Sequence, residues 1–259
     1  VPCYNEEEVL PLFYKTILRV LDFMKSIEGQ VIFVDDGSSD GTLSLLRKFG
    51  SQDKRCVYFS LSRNFGKEAA LYAGLTYAKG DYVAVMDADL QDPPEMLPRM
   101  LHILKTEEYE CVATCREDRK GEPVIRSFFA KKFYQIMNHI SKKKKKNGAR
   151  DFRLMKRVMV DAILSMKEYN RFSKGIFGWI GFRTKWLPFE NVNRAAGKTK
   201  WSFLKLLSYS FDGMIGFSTK PLTYVSLLGL IICLISGLLI VMIVLRTLIW
   251  GDPVAGWPS

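Results

Sequence analysis

The sequence predicts an α/β fold: a largely parallel sheet with helices on both faces, followed by interfacial helices and a transmembrane helix. Three observations carry this expectation. Short apolar runs alternate with stretches of helical periodicity from Leu10 to Thr114, the pattern of strands joined by crossover helices. The polar, turn-rich segments 2–8, 35–41 and 87–92 fall at strand ends, where open α/β sheets bind ligands. Leu222–Leu245 runs for 24 residues without a charge. As a helix it would be about 36 Å long, enough to cross a hydrocarbon core of about 30 Å with some tilt.

The elements follow in order. Leu10, Phe13, Ile17, Val20, Leu21 and Met24 recur at helical spacing, and Val31–Val34 is a short buried-strand run. Asp35-Asp36-Gly37-Ser38-Ser39-Asp40-Gly41 is a turn cluster opening a helix at Thr42. Strand 56–61, helix 67–78, strand 82–86, helix 94–105 and strand 111–114 complete the alternation. Beyond Glu122 the pattern changes. Phe128, Phe129, Phe133, Ile136, Met137 and Ile140 form an apolar face bordered by Arg126, Lys131 and Lys132, which suits a helix lying on a bilayer or one packed on the sheet. Segment 203–217 is a second interfacial candidate, and Arg246 and Trp250 follow the apolar run where basic and aromatic residues meet headgroups. The expected parts are 1–120, an α/β core; 121–220, a part with interfacial helices; 221–250, the span; and 251–259, the start of a second hairpin or span in a multi-pass chain. Both ends read as cut within larger elements.

Charge and cysteine usage narrow the function. Segment 116–157 holds 15 Lys/Arg against four acids, a local +11 that equals the net charge of the whole chain. The excess is therefore one patch, facing an anionic membrane surface rather than nucleic acid, because no nucleic-acid module accompanies it. Within it, Lys142–Lys146 reads as a solvated loop or a lipid-headgroup contact. Five cysteines without zinc spacing read as reduced small hydrophobes in a cytosolic compartment. With only His102 and His139 present, a His-dependent triad or zinc hydrolase is a poor fit.

Asp87-Ala88-Asp89-Leu90-Gln91-Asp92 follows the apolar run Tyr82–Met86. Two carboxylates spaced i, i+2 at a strand end share a side, and they repel unless a proton or cation lies between them. Hard divalent cations take oxygen ligands and share their shell with substrate phosphates. The motif thus points to a metal–phosphate site, or to a turn that caps the helix after Pro93-Pro94.

Seven motifs in order carry a resemblance over nearly the whole chain. They are Val1-Pro2-Cys3-Tyr4-Asn5-Glu6, Val34–Thr42, Ser62–Lys67, Asp87–Gln91, Asp151–Leu154, Phe172–Gly175 and Arg194–Trp201. Together with the span, the chain resembles family-2 glycosyltransferases of the polyprenyl-phosphate type, similar to dolichyl-phosphate mannose synthases and closer to bactoprenol glucosyltransferases. The resemblance implies a GT-A-type nucleotide-binding sheet, a nucleoside-diphosphate sugar donor, Mg²⁺ or Mn²⁺, and a polyprenyl phosphate acceptor such as undecaprenyl phosphate. It places the chain in a bacterial cell membrane with a cytoplasmic catalytic domain, acting in cell-envelope synthesis and self-associating.

Residue by residue, the resemblance implies that Pro2, Tyr4, Glu6 and Asp36 line the base and ribose. Asp87 and Asp89, with Gln91, would hold the metal on the diphosphate. Lys67, Arg194 and Lys200 would add phosphate contacts, and Arg116 and Arg126 would grip the acceptor phosphate. The family's serine four residues after the second arginine is Ala130 here. Asp151 would orient the nucleophile or stabilise the sugar cation, or link structurally to Arg153. A single displacement implies inversion, with glucose from UDP-glucose as the leading donor. Two alternatives are a processive polysaccharide synthase, whose Gln-x-x-Arg-Trp element is absent here, and a non-catalytic membrane scaffold.

Overall fold

The computed structural model describes residues 1–116, 149–168, 171–189 and 220–251, and the statements that follow concern these residues. The chain forms two units, Val1–Gly216 and Phe217–Ser259.

In the first unit, β1 (Pro2–Cys3), α1 (Leu10–Phe23), β2 (Val31–Asp35), α2 (Thr42–Gln52), β3 (Cys56–Ser60) and α3 (Lys67–Tyr77) alternate. They are followed by β4 (Tyr82–Val85), a 3₁₀ turn (Pro94–Met96) leading into α4 (Leu97–Thr106), and β5 (Cys111–Arg116). Then come β6 (Ala149–Lys156), α5 (Arg157–Ser165), α6 (Ser173–Trp179) and β7 (Thr184–Phe189). The strands β1-β2-β3 pair in parallel, and β4-β6-β5-β7 form a second, mixed sheet. In that sheet β6 runs antiparallel to both β4 and β5, while β5 and β7 are parallel. The sheet is thus less parallel than the alternation suggests. The charges of Arg150, Asp151, Arg153 and Lys156 hide β6 from an apolar-run reading, although Phe152, Arg153, Leu154 and Met155 are all buried.

Helical periodicity matches the packing. On α1 the buried residues are Leu10, Phe13, Ile17 and Val20, one stripe at 3–4 residue spacing. Phe13 meets Phe33 of β2 edge-on at 6.1 Å, and Tyr14 stacks on Phe49 of α2 at 4.0 Å. Full burial of a side chain such as Phe13 or Phe33 contributes about 1.5–3 kcal/mol. A cavity of about 1060 Å³, lined by Val31, Ile32, Leu71, Leu75, Val83 and Val85 among others, lies between β2 and β4. Of the predicted site residues, only Pro2 lines it.

Cys3, Cys56, Cys111 and Cys115 are buried free thiols, in keeping with their reading as small hydrophobes, whereas the free thiol of Cys233 is exposed. Burial pushes the Cys3 thiol up to about 12 and that of Cys56 to about 11.

The second unit carries α7 (Lys220–Trp250). Its stretch Leu222–Trp250 is the one helix among the described residues long and apolar enough to cross a membrane, and none of it is buried by protein. An apolar helix with no protein cover suits lipid. The interfacial stretches 125–140 and 203–217 and the expected second span at 251–259 lie outside the described residues, apart from Gly251.

Candidate active site

The loops after β1, β2 and β3 are tied together by their own polar side chains. Asn5, in the left-handed region at φ 53°, donates its N–H to Ser38 Oγ at 2.9 Å and accepts from Ser39 N–H at 2.8 Å. Glu6 N–H donates to Thr42 Oγ1 at 2.8 Å, and Glu7 accepts from Gly41 N–H at 2.7 Å. Asp35 accepts from Ser38 N–H and Ser60 Oγ. Asp36 is buried, and its two oxygens accept from Phe65 N–H at 2.8 Å and Gly66 N–H at 2.9 Å. Burial pushes the Asp36 carboxyl upward, and the two amide donors counter it. Asp36 therefore holds the loop that delivers Lys67 to the start of α3.

This junction depends on Gly37, which has φ +67° and packs against the Arg63–Asn64 backbone. A Cβ there would sit 2.4 Å from Arg63 C and 2.6 Å from Asn64 N. Gly37→Ala is expected to cost about 2 kcal/mol or more, lowering the thermal midpoint by roughly 4–8 °C. An unchanged melting curve would show that the two loops can separate freely.

A cluster of carboxylates and cations lies where these loops meet β4 and β6. Asp87 follows β4, and Lys67 Nζ lies 2.7 Å from its Oδ1 and 2.8 Å from its Oδ2. The same ammonium is 2.7 Å from Asp151 Oδ2 on β6, and Lys174 Nζ on α6 is 3.6 Å from Asp151 Oδ1. Burial opposes charge on both partners. The two carboxylates outweigh it and hold Lys67 well above the usual ammonium range, while Lys67 and Lys174 hold Asp151 far below the usual carboxylate range. Arg153 is buried, stacks on Phe177 with Cζ 3.6 Å from the ring centre, and donates to the main-chain oxygens of Asp151 and Arg150. It thus links to the Asp151 backbone.

Asp89 is buried and accepts from Gln91 N–H at 3.1 Å. It lies in a turn beyond β4, where Leu90 has φ 55°, so strand alternation does not govern the direction of Asp87 and Asp89. Arg150 Nε donates to Asp92 Oδ1 at 2.9 Å and its Nη2 to Gln91 Oε1 at 3.3 Å. Asp92 is buried, which pushes its carboxyl up against the pull of Arg150, and its Oδ2 finds no partner among the described residues.

Of the predicted site residues, the structure brings Lys67, Asp87 and Asp151 into direct contact. Asp89 and Gln91 sit in the adjoining turn. Tyr4 is exposed and Pro2 and Glu6 partly buried around β1, whose Cys3 carbonyl accepts from Asp36 N–H at 2.8 Å. Arg116 ends β5, but its side chain lies outside the described residues, as do Arg126, Arg194 and Lys200. Lys174, Arg150 and Asp92 are the participants that sequence reasoning left without a role. Lys174 stood inside Phe172–Gly175 and Asp92 inside the 87–92 turn, so the motifs held the signal for these two, whereas Arg150 lies just outside Asp151–Leu154.

A divalent cation fits the donor set. Asp87, Asp89 and Gln91 offer hard oxygens, and Lys67 is a stand-in positive charge on Asp87. Among the described residues no three His, Cys, Asp or Glu side chains form a closed metal cage. The chain would supply part of a shell that substrate phosphates and water complete.

Comparison with known proteins agrees with this architecture. Residues 1–164 match the model of Glycosyl transferase family 2. The chain is 38% identical over its full length to a prophage bactoprenol glucosyl transferase homolog of Escherichia coli K12, covering 84% of that protein. It is 38% identical to the bactoprenol glucosyl transferase of Shigella phage SfX, again covering 84%. Glucosyl-3-phosphoglycerate synthase from Mycobacterium tuberculosis, solved with Mn²⁺, UDP-glucose and phosphoglyceric acid, superposes with TM-score 0.53 at 18% identity. That match covers 81% of this chain and 74% of the other, and it places the fold in the GT-A-like class.

Proposed function

This chain belongs to glycosyl transferase family 2, and from that premise we infer that it moves one sugar from a nucleoside-diphosphate donor to a polyprenyl phosphate. The leading donor is UDP-glucose, the leading acceptor undecaprenyl phosphate, and the product a polyprenyl-phosphate sugar on the cytoplasmic face of a cell membrane. The full-length likeness to bactoprenol glucosyl transferases carries the acceptor assignment. The donor half is supported by the cation-paired carboxylates where the strand-end loops meet.

In this reading Asp87, Asp89 and Gln91 would hold Mg²⁺ or Mn²⁺, which would supply Lewis-acid stabilisation of diphosphate charge. Tyr4 covers the base, and Pro2, Glu6 and Asp36 shape the nucleotide pocket, Asp36 by fixing the 65–66 amides. Lys67, Arg194 and Lys200 offset diphosphate charge. Arg116 and Arg126 hold the acceptor phosphate, whose planar-fork recognition suits guanidinium groups. A phosphate is already anionic at neutral pH, so the nucleophile needs no strong base. Asp151, kept ionised by two ammonium groups, suits electrostatic support of a cationic sugar centre better than proton abstraction. Attack opposite the leaving group inverts the anomeric carbon. The helix Leu222–Trp250 keeps the enzyme beside its lipid acceptor.

The test is a donor panel with the purified chain, undecaprenyl phosphate and Mn²⁺. Label from UDP-glucose should enter the organic phase, vanish with EDTA and return with Mn²⁺ or Mg²⁺. A folded protein that labels lipid from no donor overturns the reading.

A further inference from the structure

The first two residues of α3 and of α6 form a clamp around Asp151. Glu68 accepts from both the N–H and the Oγ of Ser173, which fixes one helix start against the other. Their neighbours, Lys67 and Lys174, both reach the Asp151 carboxylate. The backbone positions are therefore set by Glu68 and Ser173, while the lysine heads answer to charge.

Lys67 has a second partner. Its ammonium lies within 2.8 Å of both oxygens of Asp87, so it covers the carboxylate face a metal would use. The side chains of Lys67 and Asp87 are 30% and 27% exposed, so an arriving ion or diphosphate can reach the pair. Lysine carries its charge on a flexible four-carbon stem, so the head can leave Asp87.

We propose that Lys67 is a built-in competitor for the divalent cation: it holds Asp87 until a metal–diphosphate arrives, then passes from the carboxylate to the diphosphate. Free metal must displace an ammonium to bind Asp87. A metal carried by a diphosphate brings negative charge that receives the displaced Lys67. The chain thereby favours the metal–nucleotide complex over free metal. This rests on the reading of Asp87 and Asp89 as metal ligands and assigns Lys67 as a counter-ion exchanged between Asp87 and the diphosphate.

Mn²⁺ binding to the full chain in detergent, read by electron paramagnetic resonance of free Mn²⁺, tests it. Without nucleotide, Lys67→Met and Lys67→Gln should bind Mn²⁺ at least about tenfold more tightly than wild type, one such factor matching about 1.4 kcal/mol. Lys67→Arg should stay close to wild type. With UDP the advantage of Lys67→Met should shrink or reverse, because the diphosphate loses its lysine. A second measurement needs no variant. Saturating Mn²⁺ alone should raise acetylation of Lys67, read by peptide mass spectrometry, by about threefold or more. Equal or weaker Mn²⁺ affinity in folded Lys67→Met and Lys67→Gln, or unchanged Lys67 labelling, overturns the proposal alone. If wild type binds no Mn²⁺ even with UDP, the metal assignment beneath it falls as well.

Discussion

Asp89→Asn leaves a folded protein whose metal-dependent transfer falls by about 10²–10³-fold, the scale of removing one charge-stabilising group from a reacting centre. An asparagine oxygen can still accept from Gln91 N–H, one contact Asp89 makes, at 3.1 Å. The loss comes from charge. Asp89 is buried in the turn after β4, and a neutral amide there cannot offset a cation's charge as the carboxylate does. The measurement pairs lipid-extractable product with Mn²⁺ affinity, and both should drop together. Unchanged turnover in the folded variant removes Asp89 from the metal shell.

Asp151→Asn loses stability as well as activity. Asp151 is the shared anion of Lys67 and Lys174, and its side chain is only 16% exposed. The neutral amide leaves two ammonium groups facing each other without their common partner. Breaking such a buried network by removing one member costs about 3 kcal/mol or more, or roughly 6–12 °C in thermal midpoint for a domain of this size. Transfer should fall with it, since Lys67 is no longer held between β4 and β6. A midpoint within error of wild type would mean that the cluster is solvated and energetically minor.

Periodicity made much of the fold legible. The apolar stripe Leu10, Phe13, Ile17, Val20 and the run Val31–Val34 could be placed from spacing alone, because burial on one face leaves a mark at every third or fourth residue. Strand β6 was not legible, since Arg150, Asp151 and Arg153 sit on it for the site, and their charges break the apolar pattern. The site divides the same way. Asp87 and Asp89 stand out as a motif, whereas the partners of Lys67 depend on a contact 84 residues away in sequence. Asp36 shows the opposite limit: its motif marks it as important, yet only the structure reveals that both oxygens serve the Phe65 and Gly66 amides. The sugar has no sequence signature here, because hydroxyl orientation is read by side-chain placement rather than by motif.

Mass spectrometry of the organic-phase product from UDP-glucose, undecaprenyl phosphate and Mn²⁺ tests the central claim most directly. One mass is predicted, undecaprenyl phosphate plus a single hexose residue, absent when EDTA replaces the metal. A ladder of masses spaced by hexose units, or release of free sugar with the lipid unchanged, would contradict transfer of one sugar to a lipid phosphate.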